Sequence, residues 1–217
     1  KKIFNLYTCS FEEYLFLGEQ DELLSEYRRI KDNPEAKSLQ LIHLQNAFYQ
    51  YLRYGGYPEV VTTTDESEKR EILTDLRDSF VKKDMEDAGV KDEDSFYKLM
   101  RMLASQTGDL VNTSELAKML HIKEETVAKY MKVMEKSFHI VLIKPFFRNI
   151  GKELVKMPMV YFLDSGMRNS LTGNFLPYAS NPDIGTVWEN QVLRLLADKY
   201  GIEEIRFWRT TEKKEVD

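Results

Sequence analysis

The chain has 217 residues and a mass of 25.6 kDa, with 42% apolar and 31% charged residues; this composition excludes global disorder and fits one large domain or two small ones. The net charge of −5, from 31 basic and 36 acidic residues, excludes polyanion binding over the whole surface, so any nucleic-acid contact must come from a local patch. One cysteine, Cys9, excludes a disulfide framework and a cysteine-built metal site; His43, His121 and His139 show no ligand spacing, and no apolar run is long enough for a membrane helix.

The composition reads as a cytoplasmic protein of a reducing compartment, and the order of elements below reads as mainly α with a small β component (α+β). The first residue is not methionine, and Lys214 to Asp217 read as the opening of a strand, so the chain reads as a fragment. Residues 1–9 have the β-branched and aromatic character of a short strand. Ser10 before FEEYLFLG is a helix start with acids in the first turn. Residues 20–31 and 37–54 read as helices, and the apolar steps from Leu39 to Leu52 put a core face on the second. Gly55-Gly56-Tyr57-Pro58 stops that helix. A further helix spans 66–87 and ends at Gly89.

From residue 94 the pattern changes. Residues 94–106 form a helix with Phe96, Leu99, Met100 and Leu103 inward. Asn112 caps a short helix over 113–120, with Glu115 placed to complete a capping box. After a turn at 121–123, a helix from 124 to about 137 buries Val127, Tyr130, Met131, Met134 and Phe138. Two apolar runs, 139–147 and 157–163, form a hairpin around the polar loop 148–156. This order is that of a winged helix-turn-helix. Residues 164–185 read as a loop or linker with about one helical turn. Residues 186–199 are an amphipathic helix with Val187, Trp188, Val192, Leu195 and Leu196 facing a core. A strand follows at 203–210. The expected division is 1–89, 90–164 and 165–217.

In a helix-turn-helix the second helix of the pair enters the major groove. Here it exposes Lys123, Thr126, Lys129, Lys132 and Lys136, and residues 118–136 hold five lysines against three glutamates. The wing adds Lys144, Arg148, Lys152 and Lys156 against Glu153. These groups suit duplex phosphate, although Glu124 and Glu125 oppose it and winged helices also dock proteins. No G-x-x-x-x-G-K-[ST] occurs, so Gly55-Gly56 is a turn and not a phosphate cradle. Near the C-terminus Glu189 on a helix, with Glu215 and Asp217 on a strand, could share a divalent metal, against the simpler reading of surface carboxylates. Asp164 reads as a turn or cap residue.

The order Ser10-Phe11-Glu12-Glu13-Tyr14-Leu15, Gly55-Gly56-Tyr57-Pro58-Glu59-Val60-Val61, Thr126-Val127-Ala128-Lys129-Tyr130-Met131, Lys144-Pro145-Phe146, Tyr161-Phe162-Leu163-Asp164-Ser165-Gly166, Trp188-Glu189-Asn190 and Phe207-Trp208-Arg209-Thr210 resembles the C-terminal part of prokaryotic AAA-family P-loop ATPases with a trailing domain of unknown function. The resemblance implies an ATPase core before residue 1, binding ATP and Mg²⁺ and contacting this chain. It also implies a helical lid, a winged helix, and the start of a PD-(D/E)xK nuclease-like fold in which Glu189 matches the helix acid and Asp217 the strand acid. The acid-x-lysine strand and the Walker motifs of that pattern are absent from this sequence. Double-stranded DNA is the expected partner. A metal-dependent nuclease and a protein-docking scaffold are the alternatives.

Overall fold

A computed structural model describes residues 6–146, 157–209 and 215–216. It is mainly helical with a small sheet, the α+β class expected. The helices are α1 (Phe11–Leu17), α2 (Asp21–Asp32), α3 (Leu41–Tyr54), α4 (Pro58–Thr62), α5 (Glu66–Asp87), α6 (Glu93–Ser105), α7 (Thr113–Leu120), α8 (Glu124–Lys136), α9 (Ser165–Thr172) and α10 (Ile184–Tyr200). The strands are β1 (Ile140–Pro145), β2 (Met159–Phe162), β3 (Arg206–Arg209) and β4 (Glu215–Val216). Two units result: Lys1–Arg77 with Asp164–Ile184, and Asp78–Leu163 with Gly185–Asp217. The divisions fall within α5, at the end of β2 and at the start of α10, rather than after residues 89 and 164.

In the first unit, Ser10 caps α1: its hydroxyl accepts from Glu13 N while the Glu13 carboxylate accepts from Ser10 N at 2.8 Å. Phe11 is the centre of an aromatic cluster, with Phe48 at 4.9 Å and Tyr27 at 5.3 Å, both edge-on, and Tyr51 at 5.6 Å. Leu15, Leu24, Leu44, Ala47 and Val61 complete this core. The α3 helix begins at Leu41, later than its apolar pattern predicts, and leaves Leu39, Leu41 and Ile42 exposed. Of the strand expected over 1–9, residues 1–5 lie outside the described residues and residues 6–9 are not strand. Cys9 still bonds like one, donating its N–H to Gly56 O at 2.8 Å.

The segment 164–185, expected as a linker, contains the eight-residue helix α9, buried from Ser165 to Leu171. Its sequence, SGMRNSLT, carries few apolar groups, so periodicity gives no helix signal there. Its polar side chains are inside because α3 ends beside it with unpaired carbonyls. Asn169 Nδ2 donates to Leu52 O and Arg53 O, each at 3.0 Å, and Ser165 Oγ donates to Tyr51 O at 3.3 Å. Asp164 caps α9 by accepting from Met167 N at 2.8 Å, and its other oxygen accepts from Gly56 N at 2.8 Å. The approach is so close that only glycine fits. A Cβ on Gly166 would lie 2.0 Å from Tyr54 O, and one on Gly55, at φ +77°, 2.2 Å from Asp164 Oδ1.

The second unit holds α6, α7, α8 and a mixed sheet of order β2-β1-β3-β4. β1 pairs antiparallel with β2 and parallel with β3, and β3 pairs antiparallel with β4. Phe96, Leu99, Met100 and Leu103 of α6 and Val127 and Met134 of α8 are fully buried. β2 is buried along its length. Thus 185–217, expected to open a separate domain, contributes β3 and β4 to the sheet that begins with the hairpin.

Two outcomes test the first unit. Gly166→Ala should lose at least ~3 kcal/mol of stability, because backbone stands where the methyl must go. Gly173→Ala, at φ +69° with nothing within 4 Å of the new Cβ, should lose only about 1 kcal/mol. Urea unfolding of both variants makes the comparison, and equal losses would refute the close-approach account. The second outcome concerns Glu26, a buried carboxylate that accepts from Arg29 Nε and Nη2, Ser38 Oγ and Leu39 N. The Arg29 and Ser38 hydrogen bonds lead in pulling its pKa from 4.5 to about 2. A folded value below the unfolded one stabilises above pH 4.5, and that stabilisation is lost as pH falls toward 2. Glu26→Gln should flatten the pH dependence of unfolding within that window, and an unchanged acid limb would contradict it.

Candidate nucleic-acid interface

The paired helices are built by local chemistry. Asn112 Oδ1 accepts from Glu115 N at 3.2 Å and starts α7. His121 then takes the left-handed conformation, φ 55° and ψ 36°, and its N–H closes back on α7. Lys123, with extended backbone, precedes α8. The Thr113 hydroxyl donates to Glu124 and ties the start of α7 to the start of α8. Glu124, expected to oppose a phosphate backbone, is therefore engaged within the protein. Val127, Tyr130, Met131 and Met134 face inward as expected, and Tyr130 meets Phe96 edge-on at 5.3 Å. Phe138 does not join them: at φ 58° it terminates the helix with its backbone and is 41% exposed.

The opposite face of α8 carries the charge. Lys129, Lys132 and Lys136 recur at three- and four-residue steps and are exposed, as are Lys118 and Lys123; Thr126 is half-buried. Lys144 is exposed on β1 and acts electrostatically on Glu135 together with Lys132, which puts the two lysines on one side of the unit. Burial raises the Glu135 carboxyl pKa and the two lysines oppose the rise. Arg206 on β3 is in register beside Lys144 and exposed, so the two cations share a sheet face. The sequence carries no signal for this neighbour, because it rests on a parallel pairing of residues 144 and 206, which are far apart in the chain. Arg148, Lys152 and Lys156 of the wing loop lie outside the described residues.

Of the metal candidates, Asp217 and the Glu215 side chain lie outside the described residues. Glu189 is half-buried, and its Oε1 accepts from the Tyr161 hydroxyl at 2.6 Å. Gly108, at φ +85°, leaves room for this carboxylate: a Cβ there would stand 2.9 Å from Oε1. No group of three or more His, Cys, Asp or Glu side chains placed to hold a metal occurs among the described residues.

Glu189 belongs to a row of polar contacts from α10 to β2. Asn190 brackets Phe162, accepting from its N–H at 2.8 Å and donating to its carbonyl at 2.9 Å. Arg194 Nη1 donates to Leu163 O at 2.9 Å while Nε donates to Asp198 at 3.0 Å. Val160 is bracketed in the same way by the backbone of Gly108 and Asp109. The outer edge of β2 is therefore covered by hydrogen-bonding groups. This corrects the expected facing of α10: Val187 is buried, but Trp188, Val192 and Leu195 lie outward at 36–48% exposure while Asn190, Gln191 and Arg194 are buried. Apolar periodicity named the wrong face because the strand edge demands polar partners.

One unit is helical and closes through the Gly55-Gly56 turn; the other joins α6, α7 and α8 to a small mixed sheet and exposes a row of lysines on α8. The chain belongs to the family described as a domain of unknown function, DUF8612, whose match covers residues 45–177. That match runs from within α3 to just past α9 and so encloses both the glycine junction and the paired helices. The chain is similar to an uncharacterized protein of Haemophilus influenzae, 32% identical over 73% of this chain and 44% of that one. It is also similar to uncharacterized proteins of Mycobacterium tuberculosis (28%, 75% and 38%) and Methanocaldococcus jannaschii (22%, 76% and 37%). The chain spans about two fifths of the length of these curated relatives. No solved structure matches it. Among the described residues no helix is long and apolar enough to cross a membrane.

The Asn190 bracket yields a test. Asn190→Leu should lose about 2–4 kcal/mol, since it strands both the N–H and the carbonyl of Phe162 in a buried setting. Chemical denaturation measures it, and a loss under about 0.5 kcal/mol would show that β2 does not depend on the bracket.

Proposed function

We propose that this chain is the regulatory, duplex-contacting C-terminal part of a longer AAA-family P-loop ATPase, with α8 and the adjoining sheet face meeting double-stranded DNA. The observation that carries this reading is the stripe Lys129, Lys132 and Lys136, joined on one side by Lys144 and Arg206, on a unit ordered as a winged helix. None of the lysines is in an ion pair among the described residues, so phosphate would meet them without first displacing a carboxylate. Contacts of this kind give affinity and register, while sequence choice would fall to side chains near the start of α8 such as Glu125 and Thr126. In this reading ATP and Mg²⁺ belong to a core outside these 217 residues. Nothing in the present sequence fits a nucleotide in the P-loop manner, and no catalytic step is assigned to it.

The nuclease alternative gains nothing from Glu189, whose carboxylate already holds the Tyr161 hydroxyl. The protein-docking alternative draws on Glu135, which dilutes the field of Lys132 and Lys144.

Duplex affinity measured by fluorescence anisotropy against salt tests the proposal. The expected result is a steep fall in affinity with salt, with Lys129→Glu/Lys132→Glu weakening binding at least tenfold and reducing the log–log slope by about one to two. Salt-independent binding, or unchanged affinity in the double variant, would refute contact through this face.

A further inference from the structure

We propose that the first unit binds a phosphate-class oxyanion at Arg53, Lys69 and Arg70 around Tyr54. Arg53 and Tyr54 close α3, and Glu66, Lys69 and Arg70 open α5. The Arg53 guanidinium lies 4.9 Å from the Tyr54 ring centre and Lys69 Nζ lies 5.3 Å from it. Phe175 stacks on Tyr54 at 5.7 Å and carries the Arg70 guanidinium 5.7 Å from its own centre. Three cations thus surround two stacked rings.

One carboxylate serves them. Glu66 accepts from Arg53 Nη1 at 2.9 Å and lies 3.5 Å from Arg70. The neighbouring Asp65 spends an oxygen on Ser67 N and Glu68 N at the start of α5. Lys69 is 8% exposed, yet among the described residues its ammonium has no hydrogen bond and no ion pair. Burial lowers its pKa, and Glu66 counters this only in part. Tyr54 is 1% exposed, and its hydroxyl, near Glu66 and Arg70, makes no hydrogen bond of acceptable geometry to either. Ring faces attract a cation but do not accept its full set of N–H bonds. A surplus of positive charge beside one buried, unpartnered hydroxyl, with the Lys69 ammonium unpaired next to it, calls for one ligand with negative charge and several acceptor oxygens. A tetrahedral oxyanion supplies both.

The test is thermal unfolding of the full chain with inorganic phosphate against sodium chloride of equal ionic strength, with ³¹P line broadening as a second readout. Phosphate should raise the melting temperature of the wild type. Lys69→Met keeps the apolar stem and removes the unpaired charge, so it should fold and bind phosphate at least tenfold more weakly. Tyr54→Phe, which keeps the ring, should weaken binding several-fold. Phenyl phosphate distinguishes the source: binding of both ligands supports a phosphate borne on a larger molecule, and binding of inorganic phosphate alone supports a free ion. No shift and no broadening in the wild type, or equal phosphate binding in Lys69→Met, would overturn the proposal.

Discussion

The Asp164 carboxylate joins two pieces of chain 108 residues apart. One oxygen accepts from Gly56 N, just past the end of α3, and the other accepts from Met167 N at the start of α9. Both bonds are buried, so losing either strands a donor that water cannot reach. Around this point Asn169 and Ser165 take the last carbonyls of α3, and the Gly56 carbonyl takes Cys9 N. Helix ends leave polar groups that must be paired somewhere, and here one helix end pairs another. Gly55, Gly56 and Gly166 are required because their missing side chains allow backbone and carboxylate to close to contact.

The second unit solves a similar problem with a strand. β2 sits at the sheet edge, and its outward groups are met by Asn190, Arg194 and the backbone of Gly108 and Asp109. Two helices, α9 and α10, therefore turn polar faces inward. Ser170 Oγ on α9 and Gln191 Nε2 on α10 stay unpartnered among the described residues, while the paired groups beside them fix one arrangement more sharply than apolar contact does.

These two helices also mark where the sequence stops being legible. The helices over 66–87 and 113–120, the caps at Ser10 and Asn112, and the core positions of α6 and α8 follow from periodicity and capping rules, because solvent on one side and core on the other impose a repeat. α9 was concealed because SGMRNS reads as loop until the carbonyls of α3 are beside it. α10 is legible as a helix but its face is not, since Trp188, Val192 and Leu195 carry an apolar repeat while the strand edge takes Glu189, Asn190 and Arg194. Of the candidate interface, the lysine stripe was legible from spacing alone. The neighbour Arg206 was not, because sheet pairing between distant strands leaves no local trace.

The glycine turn, the Asp164-Ser165-Gly166 cap and the Glu189-Asn190 pair are architecture, while the lysine face of α8 is the proposed working surface. Hydrogen exchange of the full chain with and without a DNA duplex separates the two roles most directly. Contact through α8 predicts slowed exchange over 123–136 with the junction residues 55–57 and 164–170 unchanged. Protection centred on those two junction segments, or none over α8, would contradict it.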